Sequence, residues 1–345
     1  MIINVGIIGC GSITQHRHAP EYKMNKNCKI IAFSDFVMER AQQLAMEYNA
    51  VAFNDYHDII NHPDIDVVSI CTSNATHAQI AIEAMEAGKH VLCEKPMAVT
   101  TAEAKQMMLA AKKNNKVLMP AHNQRLFPTH QKAKGILSSG EMGKVLTFRS
   151  AFKHKGPETW SVDKGNHTWF FDKKIACMGV LGDLGIHKVD LMHFLLDERI
   201  LNISANLATL DKRYQNGEFV DVEDNAIILC HTESGKIGTV EVSWTNYGIE
   251  DNSTVLYCEN GVIKINCDPE YDLVIEKKDG KIDRYNYGGV STNDKQVNSG
   301  VIEAFVDAVV NKKPMFATAD DGYNAVAVIE ACLEAEGLSG LQAVS

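Results

Sequence analysis

The stretch Asn4-Val5-Gly6-Ile7-Ile8-Gly9-Cys10-Gly11-Ser12-Ile13-Thr14 decides the fold of the first half of the chain. An apolar run that breaks into Gly-x-Gly reads as a buried strand ending in a tight turn. Gly9 and Gly11 let backbone come close to a pyrophosphate, and Ser12 and Ile13 open a helix whose free N–H groups and dipole favour negative charge. The next apolar run, Ile30-Ile31-Ala32-Phe33-Ser34, ends at Asp35. That is the place, about 20 residues on, where a dinucleotide-binding fold carries the carboxylate that bonds the adenosine ribose hydroxyls. Thr14 stands where the pattern has Gly or Ala, and its larger side chain predicts a first helix pushed slightly off its strand. Phe36 and Val37 follow Asp35, with no arginine or serine to receive a 2′-phosphate and only Arg40 as a nearby countercharge, so the reading is NAD over NADP.

Working outward, strand and helix alternate to about residue 120. Asp66-Val67-Val68-Ser69-Ile70-Cys71 and Lys89-His90-Val91-Leu92-Cys93 are buried parallel strands by their continuous apolarity, and Thr100-x-x-Glu103 is a capping box for a helix between further strands. The series predicts an α/β, doubly wound parallel sheet over residues 1–122. Its ligand lies beyond the carboxyl ends of the strands, where the polar clusters Thr72–His77 and Glu94-Lys95-Pro96 fall. After residue 122 the rhythm changes. A helix over 129–138 and a strand Val145–Phe152 lead to a polar stretch with Trp160, His167 and Trp169. A helix with Asp183, His187 and Asp190 follows, then strands joined by turns such as Glu259-Asn260-Gly261 and Lys278-Asp279-Gly280. Helices over about 299–311 and 322–336 close the chain, so residues 123–345 read as an α+β domain with an antiparallel sheet.

Composition narrows the class. A length of 345 residues suggests two domains, and a formal net charge of −10 argues against nucleic acid or an anionic membrane as partner. No apolar run approaches a membrane span, and the N-terminus enters a strand without a signal pattern. Nine cysteines without a Cys-x-x-Cys pair, several in apolar runs such as Cys71, Cys93 and Cys230, point to buried thiols in a reducing cytoplasm and to no metal site. Cys10 reads as a small packing residue, and His16 and His18 as helix-surface residues.

Several pieces together carry a resemblance. Gly9-Cys10-Gly11-Ser12-Ile13, Cys71-Thr72-Ser73-Asn74 with His77, Ala87-Gly88-Lys89-His90-Val91-Leu92-Cys93-Glu94-Lys95-Pro96, and Leu181-Gly182-Asp183-Leu184-Gly185-Ile186-His187 resemble the Gfo/Idh/MocA oxidoreductases over nearly the whole chain. The resemblance implies a Rossmann domain, a second domain with an open, largely antiparallel sheet, and NAD(P)-dependent redox chemistry on a sugar or cyclic polyol. It implies catalytic roles for Lys95, Asp183 and His187, cofactor contacts from Thr72, Asn74, His77 and Glu94, and a cis Pro96.

The residue types suit that chemistry. Oxidising an alcohol needs a base for the hydroxyl proton while the cofactor carries the hydride, and His187 has the intrinsic pKa for it. Asp183, one helical turn earlier, could orient the imidazole, and Lys95 could hold the reacting oxygen. A helix-capping aspartate with a satisfied histidine, or a pair of metal ligands, are the other readings of Asp183 and His187. Arg125 and Trp169 are substrate-side candidates beside His187. Segments 153–170 and 285–298 are where side chains that read hydroxyl positions would lie. Two other functions fit parts of the pattern: a glycosidase using NAD for transient oxidation, and a non-catalytic NAD-sensing regulator. Val240, Val242 and Trp244 alternate with Thr239, Glu241, Ser243 and Thr245, giving a sheet with one apolar and one polar face. With few helices to cover it, that sheet predicts a homodimer or homotetramer.

Overall fold

The computed structural model describes residues 2–288 and 298–335. Residue 336 of the last expected helix and residues 289–297 of the expected substrate-reading segment lie outside them. β1 (Ile3–Ile8) is buried almost throughout, as a strand covered on both faces must be. After the Gly9 turn a helix begins at residue 12, widens into a π turn over Thr14–His18 and continues as α1 (Ala19–Met24). Thr14 is fully buried, and its hydroxyl donates to the Gly9 carbonyl at 2.6 Å, so the widened turn takes up the side chain that was expected to push the helix away.

There follow β2 (Cys28–Ser34), α2 (Met38–Tyr48), β3 (Val51–Phe53), α3 (Tyr56–Ile60), β4 (Val67–Ile70), α4 (His77–Glu86), β5 (His90–Cys93), α5 (Thr101–Asn114) and β6 (Leu118–Pro120). The six strands form one parallel sheet in the order β3-β2-β1-β4-β5-β6. The order reverses between β1 and β4, so the carboxyl ends of those two strands open a crevice. Thr100 caps α5 by accepting from Glu103 N at 3.2 Å, while the Glu103 carboxylate reaches back to Val99 N at 3.1 Å.

The second sheet has eight strands. α6 (Pro128–Ser138), β7 (Val145–Lys153), α7 (Lys173–Ala176) and α8 (Ile186–Leu196) precede β8 (Ile200–Ala208), β9 (Asn225–Thr232), β10 (Ile237–Ser243), β11 (Thr254–Cys258), β12 (Gly261–Ile265), β13 (Leu273–Lys277) and β14 (Ile282–Tyr285). The strand order is β14-β13-β12-β11-β7-β10-β9-β8, antiparallel except where β10 runs parallel to β7. The turn Lys278-Asp279-Gly280 joins β13 to β14, which pair antiparallel. Inward residues such as Phe148, Phe152, Val240, Val242 and Trp244 pack with α8 residues Val189 and Met192 in one core.

The division expected at residue 122 is crossed once. α9 (Val301–Val310) returns to the first domain and buries Val301, Ile302, Phe305, Val306 and Val309 against Ile3, Val5 and Tyr22. The Glu21 carboxylate fixes its start by accepting from Ser299 N at 2.7 Å. α10 (Ala319–Glu334) packs on α5 and on α8, joining the two domains, and opens with a capping box formed by Thr318 and Asp321.

Candidate active site

One cleft of about 520 Å³ runs from the glycine turn to the second sheet. Gly9, Gly11, Ser12, Ile13 and Asp35 line one end; Thr72, Asn74, Glu94 and Lys95 line its middle; Asp183, His187 and Trp169 line the other. Gly9 has φ +91, and a Cβ there would stand 2.5 Å from the Cys71 carbonyl oxygen. A Cβ on Gly11 would instead project into open space, its nearest neighbour Val162 at 4.0 Å. The turn is therefore tight behind and vacant in front, a shape that suits a pyrophosphate against the first turn of a helix. Asp35 ties β2 to this turn by accepting from Cys10 N at 2.7 Å and from Val37 N at 2.8 Å.

At the other end, Lys95 Nζ donates to the Asp183 carbonyl at 2.8 Å and to its Oδ1 at 3.2 Å. Asp183 Oδ2 accepts from Trp244 Nε1 at 3.0 Å, so both carboxylate oxygens are held by cationic or neutral donors. Asp183 lies in a π turn, Leu181–Gly185, that runs directly into α8, which carries His187. His187 is nearly buried, and its Nδ1 has no hydrogen-bond partner among the described residues. Burial first, and then the positive charge of Lys95, hold its pKa well below the ordinary histidine value, which leaves a neutral ring able to accept a proton. The Lys95–Pro96 peptide is cis.

A buried ionic cluster supports Glu94 from behind. Its Oε1 accepts from Arg17 Nη1 at 3.1 Å and contacts His18 Nε2 at 2.8 Å. Burial alone would raise the Glu94 pKa, but the His18 hydrogen bond and the Arg17 charge outweigh it and hold the carboxyl at about 2. Burial would likewise lower His18, and Cys71 and Glu94 reverse that to about 10. His18 is fully buried, which corrects the expectation of a surface residue. The signal was available in its position four residues before Tyr22, on one helix face, since the Tyr22 hydroxyl and His18 Nδ1 meet the same Ser69 hydroxyl.

Two other candidates stand back from the cleft lining. His77, a cofactor candidate, has its ring nitrogens 2.8 Å from the Pro96 carbonyl and 3.1 Å from the Thr72 carbonyl. It braces the ends of β4 and β5. Arg125, a substrate-side candidate, is held in ion pairs, with Nη2 2.7 Å from Asp190 Oδ1 and 3.0 Å from Asp321 Oδ1. Sequence reading missed His154, which is buried and lines the cleft with Nε2 3.8 Å from Asp183 Oδ2. It continues the inward alternation Phe148, Ser150, Phe152 of β7, the signal that could have found it. Trp160, Trp169 and Phe170 form an aromatic wall opposite, with Trp169 and Phe170 stacked at 3.9 Å.

A doubly wound sheet whose crevice faces a polar pocket on a second, antiparallel sheet is the architecture of a two-domain, dinucleotide-dependent oxidoreductase. The chain belongs to the Gfo/Idh/MocA oxidoreductases: residues 3–122 match the oxidoreductase family with NAD-binding Rossmann fold, and residues 130–264 match the GFO/IDH/MocA C-terminal domain. It is 31% identical to levoglucosan dehydrogenase of Pseudarthrobacter phenanthrenivorans, over 84% of this chain and 80% of that one. It is 26% identical to inositol 2-dehydrogenase of Salmonella typhimurium, over 97% of this chain and 95% of the relative. The solved structure of a levoglucosan dehydrogenase in complex with NADH and levoglucosan superposes with a TM-score of 0.85 at 26% identity, covering 98% of each chain. These relatives are named as dehydrogenases of a sugar and of a polyol, and the levoglucosan dehydrogenase structure holds NADH. Among the described residues no helix is long and apolar enough to cross a membrane.

Proposed function

We propose that this chain is an NAD-preferring dehydrogenase that transfers hydride between nicotinamide and a carbinol or carbonyl carbon of a sugar, sugar acid or cyclic polyol. The observation that carries the reading is the Lys95–Asp183 contact beside a neutral His187, in the same cleft as the glycine turn. Gly9, Gly11, Ser12 and Ile13 would hold the pyrophosphate, Asp35 the adenosine ribose, and Thr72, Asn74, Glu94 and Lys95 the nicotinamide half. The bound dinucleotide supplies the hydride acceptor. His187 takes the hydroxyl proton on its ring, Lys95 donates a hydrogen bond to the reacting oxygen and opposes the negative charge that builds there, and Asp183 positions the lysine. The aromatic wall of Trp160, Trp169 and Phe170 suits the C–H faces of a polyhydroxylated ring, and relatives named for levoglucosan, inositol and D-glucosides support that class.

The NAD preference rests on Asp35, whose carboxylate would repel a 2′-phosphate. We place the enzyme in the cytoplasm, where its nine free thiols suit a reducing medium, as a homodimer or homotetramer joined through the outer face of the second sheet. We take residues 1–122 as the dinucleotide-binding domain and 123–345 as the substrate-binding and oligomerisation domain, a division supported by the change from a parallel to a mostly antiparallel sheet. The test is a panel of sugars, sugar acids and cyclic polyols followed at the NADH absorbance band with each dinucleotide. A substrate that reduces NAD and is lost in Lys95→Ala supports the reading. Glycoside cleavage without net NADH, or NAD binding with no turnover on any member, overturns it.

A further inference from the structure

The polar segment after β7 does more than wall the substrate end. It reaches back across the cleft to the adenosine end, where Asp163 Oδ1 lies 2.5 Å from Arg40 Nη2 on α2. The segment is held in place along its length. Lys212, itself buried, donates to the Lys155 carbonyl and to Glu158 Oε1, each at 2.5 Å. The Ser12 hydroxyl donates to the Trp160 carbonyl at 3.2 Å, which seats the segment on the glycine turn. Ser161 Oγ donates to the Asp163 carbonyl at 2.7 Å, and Gly165 N to the Glu158 carbonyl at 2.9 Å. Asp163 is thus delivered to Arg40 by a braced loop rather than by a free side chain.

Arg40 matters because of where the cations are. Three line the cleft among the described residues: Arg17, Arg40 and Lys95. Arg17 is engaged with Glu94 and Lys95 with Asp183. Only Arg40 belongs to the end that holds Asp35, Phe36 and Asn54. A guanidinium there is the group a 2′-phosphate would recruit, since its fork fits phosphate oxygens bidentately. The pair is about three-quarters buried, so it is screened less than a surface contact.

We infer that Asp163, contributed by the second domain, is a specificity-determining residue for the dinucleotide: it occupies Arg40 and so denies a 2′-phosphate its cation, adding to the repulsion from Asp35. The inference rests on the NAD preference proposed above and assigns part of it to a residue more than a hundred positions away from the fingerprint. The experiment is calorimetric titration of the full chain with NAD and with NADP. Asp163→Asn should strengthen NADP binding roughly tenfold, the size of one charge-assisted contact, while NAD binding moves by less than about threefold. Asp163→Glu, which keeps the charge, should hold the wild-type ratio. Arg40→Ala/Asp163→Asn should lose the NADP gain, because no cation is left to free.

The outcomes separate cleanly. A wild-type chain that binds NADP as tightly as NAD overturns the NAD preference and this inference with it. A wild-type NAD preference that Asp163→Asn leaves unchanged overturns the inference alone. A full NADP gain that survives in the double variant also overturns it, since the effect would then be lost repulsion without any part for Arg40. Thermal melts of each variant within a few degrees of wild type show that the comparison is between folded proteins.

Discussion

A histidine accepts a proton only while it is neutral, and His187 is kept so by burial and by Lys95. Its pKa lies well below 6.5, so the base is already competent at neutral pH. The kcat/KM profile for alcohol oxidation should therefore rise with pH through an apparent pKa below 6.5 as His187 loses its proton. A half-maximal rate at or above pH 6.5 would rule out a neutral His187 as the base. Replacing His187 or Lys95 with Ala should lower turnover by roughly 10²-fold or more, the size of one acid–base contribution. NAD affinity in the His187 variant should stay near wild type, since the ring faces the substrate end. Near-normal turnover in His187→Ala would make it a structural histidine and move the search for the base to Lys95 or Asp183. Trp244 belongs to the same chemistry at one remove, because its Nε1 holds the Asp183 oxygen that Lys95 does not.

Elements position these residues, and the least legible of them are joined by contacts between elements distant in sequence. Arg125 follows β6, Asp190 sits on α8 and Asp321 on α10, so one guanidinium ties three separate elements. Removing one partner of a buried ionic group leaves the others uncompensated, which costs about 3–5 kcal/mol. Arg125→Ala should therefore shift the denaturant midpoint strongly downward, with substrate KM little changed in whatever fraction remains folded. A raised KM at unchanged stability would return Arg125 to the substrate. How much of this could be read beforehand follows from range. The glycine turn, Asp35, the ends of β4 and β5, and the Asp183–His187 turn are local patterns, and each falls in the cleft. The surroundings of His77, His18 and Arg125 are harder to read because they include carbonyls and carboxylates 19, 76 and 196 positions away. α9 was read as a helix within two residues at its start, yet its return to the first core depends on Glu21 and Tyr22, which no local pattern connects to it. β10 was legible as a strand from its alternation, while its parallel pairing with β7 required the crossover between them.

The molecule as a whole carries several histidines buried in neutral form, and this sets its stability against pH. His130 is held at about 3 and His193 at about 4, both chiefly by burial. Their unfolded value is near 6.5, so between there and the folded values the unfolded chain binds more protons, and stability falls as pH falls. Each should cost of order 2 kcal/mol between pH 6.5 and 5. His18 has the opposite sign: raised to about 10 beside Glu94, it stabilises below 6.5 and that contribution is lost as pH rises toward 10. Denaturant melts across pH 5–9 should trace a dome with its top near neutrality, and a stability that climbs on acidification from pH 6.5 to 5 would contradict the neutral burial of His130 and His193. The outer face of the eight-stranded sheet makes the second demand at this scale. α6, α8 and α10 pack on one side of the sheet. On the other, Ile227 and Leu229 of β9 stand exposed, flanked across the strands by Ser204 and Asn206 of β8 and by Thr239 and Glu241 of β10, with Tyr257 of β11 also exposed. An exposed apolar pair of this kind is suited to a symmetric partner, because a two-fold axis sets the same pair against itself. Light scattering at micromolar concentration should give a dimer or tetramer mass. Ile227→Asp/Leu229→Asp, which sets like charges together across the axis, should give a monomer with an unchanged far-ultraviolet spectrum. A wild-type monomer would remove the sheet face as an interface, and an oligomer that survives the double substitution would place the interface elsewhere.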